Sequence, residues 1–136
     1  MTFRHIAQIA GSAMNAQSVR LNTIASNLAN AQSASGVESA TYHARKPVFA
    51  AVMGDPTGAG AGVQVLDVVQ STEPLRRAHE PDHPLANEEG VVFYPNVNTV
   101  AEMTDMMAAS RAFETNVEVM ARVKTMQQSL LKLGEG

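Results

Sequence analysis

The chain contains no cysteine and no tryptophan. The first absence excludes disulfides, thiolate metal sites and a cysteine nucleophile together, without choosing a cellular compartment. Aromatic residues make up only 4% of the sequence although 45% of it is hydrophobic. Large aromatics dominate compact cores, whereas here the apolar content is Ala, Val, Leu, Ile and eight Met, which suits helix-on-helix seams. An excess of positive charge is also missing. Ten Lys+Arg stand against thirteen Asp+Glu, for a net charge of −3, and the scattered cations leave no electrostatic footprint for nucleic acid. No run approaches the roughly 18 apolar residues of a membrane span. The stretch Met1–Ala10 has no continuous apolar core, so no Sec signal peptide is expected there. A protein of this kind stays in the cytosol or leaves by a route that reads no such signal.

What is present falls into three segments, 1–32, 33–96 and 97–136. In the first, Phe3, Ala7, Ala10, Met14, Gln17, Leu21, Ile24, Leu28 and Ala31 recur at alternating steps of three and four, and only Gln17 interrupts the apolar stripe. This is a heptad seam on one long helix, about 42 Å from Phe3 to Ala31, with Gly11 its weakest point. The other face carries Asn15, Ser18, Asn22, Ser26, Asn27 and Asn30, and between Arg4 and Glu38 only Arg20 is charged. A solvated helix face normally carries Glu and Lys. A face of amides suits burial among other protein chains, where they find hydrogen-bond partners.

The middle segment accumulates glycine and proline, with short β-type runs between them. Strands are predicted over Lys46–Met53 and Gly62–Val69, with a third run at Gly90–Phe93. The first two would form a hairpin across the glycine-rich stretch Gly54–Gly62, and such a hairpin needs a helix or a neighbour to lie on. From Val97 to Leu133 helical periodicity returns. One stripe holds Met103, Met106, Phe113, Val117, Met120 and Leu131. A second holds Ala109, Ala112, Val119, Val123, Met126, Leu130 and Leu133. Two adjacent stripes make a face wide enough for more than one partner helix. Asn98 or Thr99 with Glu102 supplies the N-terminal cap, and Gly134 the stop.

The fold class expected is therefore mainly α with a small β insert. Long terminal helices pack in coiled-coil fashion, and a short β-hairpin region lies between them. Whether the two helices of one chain pair with each other, parallel or antiparallel, is left open by the pattern.

No catalytic constellation emerges. His79-Glu80-Pro81-Asp82-His83 has the i, i+4 His spacing and adjacent Glu of a helical zinc site. However, Pro81 would break that helix, and a turn containing polar residues is the better reading. The glycines from Gly54 to Gly62 lack the Lys-Ser/Thr ending and the following helix of a phosphate cradle. No metal and no cofactor is expected, and the chain does not read as an enzyme.

The run Arg20-Leu21-Asn22-Thr23-Ile24-Ala25-Ser26-Asn27-Leu28-Ala29-Asn30 resembles the N-terminal signature of flagellar rod, hook and hook-associated axial proteins. In those proteins an Arg-Leu-x-x-Ile-Ala-x-Asn-Leu-Ala-Asn core recurs. The remainder is similar to the proximal-rod members of the flagellar basal-body rod family. The similarity is carried by Tyr42-His43-Ala44-Arg45-Lys46-Pro47-Val48-Phe49, by Pro81-Asp82-His83-Pro84-Leu85-Ala86-Asn87 and by Tyr94-Pro95-Asn96-Val97-Asn98. It continues through Ala108-Ala109-Ser110-Arg111-Ala112-Phe113-Glu114-Thr115-Asn116-Val117-Glu118. Many family members continue after the signature with a short Thr-x-Gly-Tyr ending. Here a longer loop leads from Ala31 to Tyr42, as it often does in proximal-rod proteins.

The resemblance implies a subunit exported through the flagellar type III apparatus into the periplasm. There it would polymerise with itself and with other rod proteins against the base adaptor, transmitting torque and walling the export channel. The assembly interface is expected at Met14, Leu21, Ile24, Asn27, Leu28, Asn30, Met103, Met106, Phe113, Asn116, Val117, Met120 and Leu130. The competing class is a soluble coiled-coil adaptor or export chaperone forming a closed oligomer.

Overall fold

A computed structural model describes residues 2–54 and 60–135. The first helix, α1, runs Phe3–Ala29. It opens on Thr2, whose hydroxyl accepts from the His5 amide at 3.3 Å, a cap worth about 1 kcal/mol. It closes at Asn30, whose side-chain amide donates back to the Ser26 carbonyl at 2.8 Å. The periodic pattern had carried the helix through Ala31 and Gln32, which instead form a turn. Among the described residues, four strands and a turn of 3-10 helix at Glu38–Ala40 follow. The second long helix, α2, spans Thr99–Glu135. Asn98 is its cap, with the side-chain oxygen accepting from the Ala101 amide at 3.2 Å and the carbonyl accepting from Glu102 at 3.0 Å. Gly134, expected to stop this helix, lies inside it.

Strands β1 (Arg45–Met53) and β2 (Ala61–Gln70) pair antiparallel, from Arg45 opposite Gln70 to Met53 opposite Ala61. The register shifts between Val48 and Phe49, leaving Leu66 without an opposite residue and increasing the local twist. Residues 55–59 of the glycine-rich tip predicted from sequence lie outside the described residues. A second small sheet pairs β3 (Arg76–His79) with β4 (Val91–Tyr94). The third predicted run is thus β4, displaced by one residue. Gly90 precedes it at φ +75°, a left-handed turn conformation open to glycine. Its partner β3 was not foreseen, because Arg-Arg-Ala-His shows no apolar alternation. Ser35 extends this sheet by exchanging two backbone hydrogen bonds with Phe93, at 3.0 and 2.8 Å. Val92, with no exposed surface, and Phe93 anchor the sheet in the core beside Leu75, Ala44 and Ala31.

The two long helices pack on one another, which resolves the open question of pairing. Ala31 and Gln32, in the turn just past the end of α1, line the same cleft as Val97, Asn98 and Thr99 at the start of α2. Further along, Arg20 meets Asp105 at 3.2 Å. The helices are therefore antiparallel. The buried positions on α2 are Glu102, Ala109 and Val123, and half-buried Met106, Phe113, Asn116 and Met120 complete a line through them at alternating fours and threes, with half-buried Ser110, Ala112 and Val119 beside it. This seam runs between the two stripes read from sequence and draws on both. On α1 the buried Ala10 and Ile24 belong to the predicted stripe, and buried Ala109 on α2 has no side chain beyond Cβ to hold the helices apart.

The hairpin lies along another side of α1. At its base Asn27 bonds to Arg45. At its far end Ser12 bonds to Val63, and a Cβ on Gly60 would come within 2.9 Å of the Ile9 side chain. The lengths agree: nine strand residues cover about 30 Å, and the helix from Ile9 to Asn27 rises about 27 Å. Helix α1 is thus covered on two sides, by α2 and by the hairpin.

Candidate assembly interface

The thirteen residues expected at the interface divide by their surroundings within the chain. Ile24 and Asn27 are buried. Met14, Leu21, Leu28, Asn30, Met106, Phe113, Asn116 and Met120 are half-buried. Met103, Val117 and Leu130 are exposed. The fold brings Met106, Phe113, Asn116 and Met120 onto the inner seam of α2 and leaves Met103 and Val117 on its outer side.

Beyond Val123 the character of α2 changes. Every residue from Lys124 to Glu135 is exposed, including Met126, Leu130, Leu131 and Leu133, the last at 78%. The cause is geometric. An α2 of 37 residues spans about 55 Å and an α1 of 27 residues about 40 Å, so the end of α2 projects past the start of α1. At the other end, Val100, Met103 and Met107 form a second exposed apolar stripe at helical spacing. Apolar residues in continuous exposed patches mark contact surfaces more often than scattered single ones do.

The amide face of α1 also divides. Asn27, 1% exposed, accepts from the Arg45 amide at 2.9 Å and from the Tyr42 hydroxyl at 2.8 Å through Oδ1, and donates to the Arg45 carbonyl at 2.9 Å through Nδ2. Ser26 bonds to the same Tyr42 hydroxyl at 3.0 Å. Asn15, Ser18 and Asn22 face outward. Two further asparagines act in the same way as Asn27. The Asn96 side chain accepts from the Ala44 amide at 2.7 Å and donates to the Glu73 carbonyl at 2.8 Å. That of Asn87 accepts from the Glu89 and Val91 amides at 3.0 and 2.9 Å and reaches the Gly36 carbonyl at 3.4 Å. Asn87 and Asn96 stood in the sequence as members of the motifs that carry the family resemblance, with no bonding role assigned to either.

The polar cluster around His79 and His83 is engaged in the turn itself. His83 Nδ1 accepts from the Leu85 amide at 3.0 Å, and Glu80 accepts from the Tyr94 hydroxyl at 2.7 Å. That bond raises the Tyr94 pKa above its ordinary value, with burial and the Glu80 charge adding to it and Arg76 opposing. Arg76 stacks over the Tyr94 ring at 4.5 Å. Among the described residues no three His, Asp or Glu side chains are placed to hold a metal ion, and no helix is long and apolar enough to cross a membrane.

Comparison with known proteins adds to this geometry. Residues 8–33 match the family model described as flagella basal body rod protein, and residues 88–133 match that of the flagellar basal body rod FlgEFG protein C-terminal region. The flagellar basal-body rod protein FlgC of Escherichia coli O6:H1 is 47% identical over 99% of this chain and 100% of its own length. The Salmonella typhimurium protein of the same name is 45% identical with the same coverage, and that of Borreliella burgdorferi is 31% identical over 94% of this chain and 95% of its own length. With paired terminal helices, a small β insert and relatives matched end to end, the chain belongs to the flagellar basal-body rod protein family, in the FlgC group.

Proposed function

We propose that this chain is a structural subunit of the proximal rod that polymerises through its terminal helices into the drive shaft of the flagellum. The assembly transmits torque and encloses the export channel. The observation that carries the reading is the unpaired apolar surface of α2, with Val100, Met103 and Met107 at one end and Leu130, Leu131 and Leu133 at the other. A soluble chain that pairs its own helices has no use for these stripes. A subunit with neighbours at both ends does. Contacts between unlike ends do not close on themselves, so they propagate as a helical assembly.

The partners in this reading are further copies of the chain, other rod proteins, the base adaptor and the flagellar type III export apparatus. In this reading the protein leaves the cytoplasm through that export apparatus and works in the periplasmic part of the basal body. Its role is structural rather than enzymatic.

The test is sedimentation with circular dichroism, on the purified chain alone and mixed with its proximal-rod partners. Assembly predicts a gain in mass on mixing. A stable closed oligomer of the chain alone, indifferent to those partners, would favour the adaptor or chaperone reading instead.

A further inference from the structure

Two large apolar side chains stand in solvent on the segment between the long helices, Val37 at 57% exposure and Leu85 at 50%. Their loops touch. A Cβ on Gly36 would meet the Leu85 carbonyl oxygen at 2.6 Å, and the Asn87 side chain reaches the Gly36 carbonyl. The charge around this apolar pair has one sign. No Lys or Arg occurs from Leu21 to Ala44 or from Ala78 to Ser110, while Glu38, Asp82, Glu88 and Glu89 are exposed on the same two loops.

Cations gather at the opposite end of the β3–β4 sheet. The loop with Leu85 leaves the sheet at the His79–Val91 pair, whereas Arg76 is opposite Tyr94 and Arg77 opposite Phe93. Asn96 bonds both to Ala44 and to Glu73, which brings the start of β1, with Arg45 and Lys46, close to the start of β3. All four cations are exposed. Among the described residues the ion pairs are Arg20–Asp105 and Arg122–Glu118, so neither end is neutralised there by the other.

The acidic end is also firmly built. Asn87 Oδ1 accepts from the Glu89 and Val91 amides, His83 Nδ1 accepts from the Leu85 amide, and the Glu80 amide donates to the Gly90 carbonyl at 2.9 Å. A loop fixed in this way presents Leu85 with little ordering left to lose on binding.

We infer that the Val37–Leu85 surface docks on the Arg45, Lys46, Arg76 and Arg77 end of a second copy of this chain in the rod. The inference rests on the assembly reading above and names one contact within it. The apolar pair lies against the aliphatic stems of the cationic side chains, and the carboxylates around it meet their charged ends. Two acidic ends placed face to face would repel, so charge selects the unlike pairing. A contact between unlike ends repeats without closing.

The first test places p-benzoylphenylalanine at position 85 and irradiates basal bodies from swimming cells. The expected product is a cross-linked dimer of this chain, joined to a peptide that contains Lys46 or Arg76. An adduct with a different protein, or no adduct in basal bodies that hold the variant, would overturn the contact. Charge reversal gives a second readout. Glu88→Lys with Glu89→Lys is expected to reduce swimming, as is Lys46→Glu, and the three changes together to restore part of it. Full swimming by either reversal alone, or no recovery in the combination, would overturn the contact and leave the assembly reading standing. Absence of the wild-type chain from purified basal bodies would overturn the assembly reading and the contact with it.

Discussion

Asn27 and Arg45 exchange two hydrogen bonds, each of 2.9 Å, the side-chain amide of the first pairing with the backbone N–H and C=O of the second. An asparagine side chain here does what an adjacent strand would do, and it does so from a helix. The first residue of β1 is thereby fixed on α1, and the Tyr42 hydroxyl is drawn into the same joint.

Asn27→Leu keeps the approximate volume and removes all three bonds, leaving the Arg45 N–H and C=O and the Tyr42 hydroxyl without these partners. The expected loss is roughly 2–4 kcal/mol of unfolding free energy, read as a lower urea midpoint. Asn27→Asp should be destabilising too, because a carboxylate cannot donate to the Arg45 carbonyl. Unchanged stability in both variants would mean that the joint contributes nothing.

The signature around Asn27 was legible in the sequence as a specific amide pattern, but its purpose was not. Periodicity places apolar residues on faces. It does not say which polar side chain will meet a strand from the middle of the chain. The heptad steps of α1 predicted Ala10 and Ile24 correctly. On α2, two overlapping stripes hid the true seam, because Glu102 and Asn116 are polar members of it. Strand β3 was invisible for a related reason: its four residues pair with β4 and include two arginines that lie over the Tyr94 and Phe93 rings, contacts that leave no apolar alternation in the sequence.

Ala109 has no exposed surface and lies on the inner face of α2. Ala109→Leu would force extra volume into this seam and cost about 1–3 kcal/mol. The β3–β4 sheet, supported by its own bonds and by Val92, should retain its hydrogen-exchange protection while α1 and α2 lose theirs. Uniform loss everywhere would indicate one cooperative unit.

Tyr94 supplies a titratable link between β4 and the turn after β3. Its pKa is raised chiefly because its hydroxyl donates to Glu80. A raised folded-state value means that the contact contributes fully below the ordinary tyrosine pKa near 10. The contribution is lost as pH rises through the higher folded value. In a Tyr42→Phe background, where Tyr94 is the remaining tyrosine, ultraviolet titration should show ionisation later than in a free phenol. Glu80→Gln should move it back toward 10, and no movement would remove Glu80 as the cause.

His83 accepts one backbone bond within its turn. His83→Ala is therefore expected to cost about 1 kcal/mol or less and to leave motility intact. Calorimetric titration of the wild type with zinc should give no saturable heat. Stoichiometric zinc in the purified protein, lost in His83→Ala, would reverse this reading.

The contrast between buried and exposed apolar residues separates folding from assembly. Phe113 is half-buried on the inner seam, so Phe113→Asp would disturb the subunit as well as any contact beyond it, and loss of motility in that variant would be ambiguous. Leu130 is 54% exposed on the part of α2 that projects past α1. Leu130→Asp should change the stability of the lone chain by about 0.5 kcal/mol or less, because it removes little that the chain packs internally. In a subunit whose α2 end meets a neighbour, the same carboxylate is placed in an apolar contact without a partner, where burial of charge is strongly disfavoured. The expected result is a soluble, helical, exported protein that fails to enter the rod and leaves cells non-motile. Normal swimming by the Leu130→Asp strain would show that the projecting end of α2 stays in solvent in the assembled rod, and would leave Val100, Met103 and Met107 as the apolar stripe still open to a neighbour.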